Sequence, residues 1–80
     1  MTPTQKYYTL LGLVCEIFPH YAVDMAIANG CPGERQRLHD VKRGRTVSLA
    51  DLVALVKHSL PKFEIPAHLL PDAPAVLVPA

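Results

Sequence analysis

The chain has 80 residues, enough for one domain with a modest core. Half of its residues are hydrophobic and 19% are charged, and the net charge of +1 excludes a polycation that holds nucleic acid by bulk charge. Two cysteines exclude a disulfide framework, and the absence of any run of about 18 apolar residues excludes a transmembrane helix.

So high an apolar content in so short a chain favours burial against a second copy, and a homodimer is expected. The N-terminal stretch MTPTQKYYTLLGLVCEIF has no basic n-region, and Glu16 breaks its apolar run. It does not read as a secretory signal, so free thiols and a cytoplasmic location are expected.

Thr4 to Phe18 reads as the first helix, with Tyr7, Leu10, Leu11, Val14, Ile17 and Phe18 at three- and four-residue spacing. Thr4 is the expected N-cap, and Pro19 ends the helix. Tyr7 and Tyr8 read as core and boundary packing, and Cys15 as a small buried core residue. His20 to Asn29 is a second, short helix facing Val23, Ala26 and Ile27 inward, with Asp24 near its positive end. Asn29-Gly30 is a C-cap signal, and Ala22, Ala26 and Ala28 permit close approach of another helix.

Cys31-Pro32-Gly33-Glu34 opens the third helix, with Pro32 in its first turn and Cys31 exposed beside it. Leu38 and Val41 form a thin apolar stripe. Arg35, Gln36, Arg37, His39, Lys42 and Arg43 are left for the outside, and Gly44 ends the helix. Five of the eight Lys and Arg residues fall between Arg35 and Arg45. Ser48 caps the last clear helix, which lays Leu49, Leu52, Val53, Val56 and Leu60 along one face and stops before Pro61. Beyond it, Phe63 and Ile65 fold back or form a short strand, and Ala67 to Leu70 fits one helical turn. Pro71, Pro74 and Pro79 break the apolar end into an extended tail.

From Ala22 to about Leu60 these residues resemble a helix-turn-helix domain of the phage repressor and Cro type. Ala26 matches the small residue of the first motif helix, Gly30 the turn glycine, and Leu38 and Val41 the apolar anchors of the second. Arg43-Gly44 and Ser48-Leu49-Ala50-Asp51-Leu52-Val53 resemble the way that family leaves its reading helix. Leu38 lies eight positions after Gly30, about two more than the motif usually has, so either the turn is longer or the helix starts later.

The expected fold is all-α, a small bundle of four or five short helices with a helix-turn-helix-like core over residues 1–65 and a Pro-rich tail over 66–80. The resemblance implies a dimeric, sequence-specific regulator of transcription bound to double-stranded DNA, a repressor, Cro-like or antitoxin-like protein. Arg35, Gln36, Arg37 and His39 are the expected base contacts, because Arg pairs with guanine and Gln with adenine. Lys42, Arg43 and Arg45 are the expected phosphate contacts. The alternative is a helical homodimeric interaction module that binds no DNA. No compact metal-ligand spacing joins Cys15, His20, Cys31 and His39, and the four histidines have no patterned partner, so no metal, cofactor, small-molecule substrate or enzymatic activity is expected. At a helix start, the Cys31 thiol would have a lowered pKa.

Overall fold

The computed structural model describes residues 1–71, and in them the chain forms four α-helices and a short 3-10 helix with no strand. The expected all-α bundle is the observed one. Helix α1 spans Pro3–Val14. Its cap is Thr2 rather than Thr4: the Thr2 hydroxyl accepts from the Gln5 N–H at 3.1 Å, and the Gln5 side chain accepts from the Thr2 N–H at 2.8 Å. This reciprocal pair satisfies two otherwise orphaned donors and leaves Pro3 at the first helical position, where no N–H is needed.

Helix α1 stops four residues earlier than the periodicity predicts. Pro19 disfavours helical geometry at Phe18, and the Ile17 and Phe18 N–H groups both turn back to the Val14 carbonyl at 3.0 Å. The turn lets Phe18 pack against both halves of the core. It also strands Ile17, expected in the core, with 48% of its surface exposed. Cys15 likewise falls on the outside, against expectation.

Helix α2 spans Ala22–Ala28 and buries Ala22, Val23 and Ala26, whose small side chains let it lie close on the fourth helix. Ala28, the third expected contact, faces solvent. Gly30 closes the helix in a left-handed conformation (φ +89°), with the Cys31 N–H reaching the Ala26 carbonyl at 2.9 Å and the Gly30 N–H the Ile27 carbonyl at 3.0 Å. Asn29 adds a side-chain bond from Nδ2 to the His58 carbonyl at 2.7 Å, which ties this end to the last turn of the fourth helix.

Helix α3 spans Arg35–Lys42, so it starts later than expected and Pro32 is not in its first turn. Gly33 is the reason. Its φ of +112° bends the chain in a way a side chain would strain, and Glu34 is still extended. This lengthened turn accounts for the extra spacing between Gly30 and Leu38. Cys31, expected outside, is turned inward onto Val23, Ala26, Leu38 and Leu55. Burial pushes its thiol pKa up, with Asp51 adding to the rise, so the expected lowering is reversed.

Helix α4 spans Leu49–Ser59 and is the central element, touching α1, α2 and α3. Ser48 caps it as expected, accepting from the Asp51 N–H at 3.4 Å. One side of α4 (Leu49, Leu52, Val53, Val56) joins Tyr7, Leu10 and Val14 of α1 in the larger cluster, and Leu55 serves the smaller one under α2 and α3. After α4, Phe63 and Ile65 fold back onto the larger cluster without forming a strand. The 3-10 helix Ala67–Leu69 then inserts Leu69, fully buried, against it. Lys6 Nζ donates to the Leu70 carbonyl at 2.9 Å. Packing onto the larger cluster therefore continues to Leu70. The expectation of an extended tail falls on residues outside those described.

Candidate nucleic-acid interface

Helix α3 is held by two side chains that enter different parts of the core. Leu38 fills the smaller cluster with Val23, Ala26 and Leu55, while Val41 joins the larger one with Tyr7, Leu52 and Val56. Both are fully buried. At 3.6 residues per turn, two positions three apart form one narrow stripe, so most of the helix circumference is left outside. A third restraint sets its orientation: the Tyr7 hydroxyl donates to the Val41 carbonyl at 2.6 Å, joining α1 to the last turn of α3. Burial raises the Tyr7 pKa, with Tyr8 adding to the rise.

Around this axis the expected site residues fall into three groups. Gln36 and Arg43 lie opposite the buried stripe and are exposed, with half-buried His39 and Asp40 next to them. Arg35 and Arg37 lie on the two flanks. Arg35 forms an ion pair with Asp24 of α2, and both side chains are more than half exposed. Arg37 Nε donates to Asp51 Oδ2 of α4 at 2.5 Å. That hydrogen bond, with the charge of Asp51, raises the already high pKa of Arg37. The third group is Lys42 and Arg45, which together with Arg43 lie at the end of α3 and in the loop after it. Among the described residues none of these three has an ion-pair partner.

The structure thus brings Arg35, Gln36, Arg37, His39, Lys42 and Arg43 together on one helix and its cap, with Arg45 two residues beyond. It divides them in a way their order along the chain does not suggest. Three of the four residues expected to reach bases, Arg35, Gln36 and Arg37, already bond to acids of the same molecule. Gln36 Nε2 donates to Asp40 Oδ1 at 3.1 Å, one helical turn away. Sequence reasoning assigned Asp24 to the positive end of α2, and Asp51 lies in the first turn of α4 behind the Ser48 cap. Their second role, as partners of Arg35 and Arg37, depends on helices joined by long turns, and no local spacing signals it.

Glu34 provides no side-chain cap to α3, and the start of the helix lies three residues after Pro32. Among the described residues no three His, Cys, Asp or Glu side chains converge as a metal site would require. No helix there is long and apolar enough to cross a membrane. No family model, curated protein or solved structure matches this chain.

Proposed function

We propose that this protein is a sequence-specific DNA-binding regulator of transcription, of the repressor, Cro-like or antitoxin-like kind, acting as a homodimer on double-stranded DNA. The observation that carries the reading is the exposure of α3. Two buried anchors hold a helix whose outward side is polar, and at its end Lys42, Arg43 and Arg45 are free of acidic partners among the described residues. Such a helix, packed across α2 and backed by α4, has the dimensions to enter a major groove. In this reading Lys42, Arg43 and Arg45 hold phosphates. Gln36 and His39 face base edges, and Arg35 and Arg37 reach bases by exchanging their carboxylate partners for the DNA.

The test is a salt titration of binding to genomic DNA fragments. Three phosphate contacts per protomer predict a slope of log K on log salt of about −2.7 per protomer, or roughly −5 for a dimer. Removing Lys42 or Arg45 should flatten it by nearly one unit per protomer and weaken all sequences alike. No binding at low salt, or a slope unchanged by Lys42→Ala and Arg45→Ala, would refute the reading.

One observation favours a second reading. The cations of the first turn of α3 are already satisfied inside the molecule, while apolar side chains at Leu13, Ile17 and Tyr21 are about half exposed. A helical homodimer that binds protein and no DNA would account for both.

A further inference from the structure

Asp40 is the one acid in α3. It lies in the last turn, where the helix dipole disfavours a carboxylate, and among the described residues it forms no ion pair. Its backbone carbonyl accepts from the Arg45 and Thr46 N–H groups at 2.8 and 3.2 Å, but any residue supplies that acceptor. The carboxylate itself meets Gln36, one turn back, whose Nε2 donates to Asp40 Oδ1 at 3.1 Å. Gln36 is exposed and Asp40 half-buried, and both lie on the side of α3 opposite the buried Leu38 and Val41.

A carboxylate only accepts, so it fixes which way the Gln36 carboxamide faces: the nitrogen is held toward Asp40 and Oε1 away from it. One Nε2 hydrogen is used, and the other, beside Oε1, stays free. The free edge is then one donor next to one acceptor, in a set order. In a major groove adenine alone presents the matching edge, an N7 acceptor beside an N6 amino donor. We propose that Asp40 is a positioning residue that sets Gln36 to read adenine; the inference rests on the DNA reading above and deepens it by naming the base and the residue that selects it. A carboxamide free to turn about its last torsion presents the reversed order as readily, which puts a donor against the oxygens of thymine or guanine. Holding one order is therefore a source of discrimination rather than of affinity. Affinity runs the other way, because the Asp40 charge stands on the side of the helix that meets the DNA.

Selection of bound sites from random duplexes, read by sequencing, is the experiment, with fluorescence anisotropy on the selected duplex and its single-base variants. The wild type should enrich a site containing an adenine whose preference Gln36→Ala reduces at least about fivefold. In Asp40→Asn the new carboxamide both donates and accepts, so the order on Gln36 is released. Preference for that adenine should fall roughly two- to fivefold over two reading heads, while binding to all duplexes rises. Against a Gln36→Ala background, Asp40→Asn should still raise binding but leave base preference unchanged. Helical circular dichroism and the urea midpoint should stay close to the wild type, since the exchange keeps the shape of the side chain. An unchanged preference at the Gln36 position in Asp40→Asn overturns the proposal. A changed preference for a cytosine that persists without Gln36 overturns it in favour of direct contact by Asp40. A wild type that binds DNA with the expected salt slope but enriches no site overturns it and leaves DNA binding standing. A wild type that binds no DNA at low salt refutes the DNA reading and this inference together.

Discussion

On the proposed DNA reading, replacing Asp24 by Asn should strengthen binding to the duplex. Asp24 and Arg35 are 62% and 57% exposed, so their ion pair lies in high dielectric and is worth about 0.2–1 kcal/mol. In the proposed complex Arg35 would give up that energy on turning to DNA, which corresponds to a factor of about 1.5–5 per protomer and roughly 2–25 for two reading heads. The substitution also removes a negative charge close to the DNA, so the gain should be larger at low salt than at high salt. Folding stability should fall by no more than about 1 kcal/mol, because Asn keeps the shape of the side chain and a surface pair contributes little. Fluorescence anisotropy of a labelled duplex across a salt series reads affinity and slope together. Arg35→Ala completes a double-mutant cycle: in that background Asp24→Asn should bring only the general charge gain. Equal affinity and slope for wild type and Asp24→Asn, with Arg35→Ala also silent, would refute the idea that Arg35 is held in reserve for DNA.

Two further predictions concern the platform that carries α3. Leu38→Ala empties a fully buried site between α2 and α4 and should cost about 2–4 kcal/mol, read as a lower urea midpoint with unchanged slope; a loss under about 1 kcal/mol would mean that α3 is not anchored there. The Tyr7 phenol has its folded-state pKa raised above the ordinary 10.0, so above that pH the unfolded chain loses its proton first and stability falls as pH rises. Tyr7→Phe should flatten this alkaline decline and cost about 1 kcal/mol near neutrality by removing the bond to Val41, measured by urea unfolding at several pH values.

Much of the architecture was legible because it rests on local chemistry. The Ser48 cap, the Asn29-Gly30 stop, the Leu-rich face of α4 and the thin stripe of Leu38 and Val41 are all relations within a few residues. Backbone donors and helical periodicity make such relations predictable. The two cysteines mark the limit of that reasoning. Periodicity assigned Cys15 to the core and turn position assigned Cys31 to solvent. The reverse holds, because α1 stops at Val14 and the Gly30 cap folds Cys31 beneath Leu38. The length of the turn before α3 was open to either resolution from spacing alone, and Gly33 resolves it by delaying the helix.

The candidate site divides in the same way. Composition and periodicity determined that the basic residues share one solvent-facing helix, since Leu38 and Val41 leave no other side for them. Which of those residues are free was decided only in three dimensions. Asp24 and Asp51 lie on separate helices, 11 and 14 positions from Arg35 and Arg37. Only the packing of α2 and α4 against α3 brings these charges within bonding distance. Periodicity can assign a side chain to a face, but an ion pair between helices depends on how those faces meet, and that is a property of the packed core.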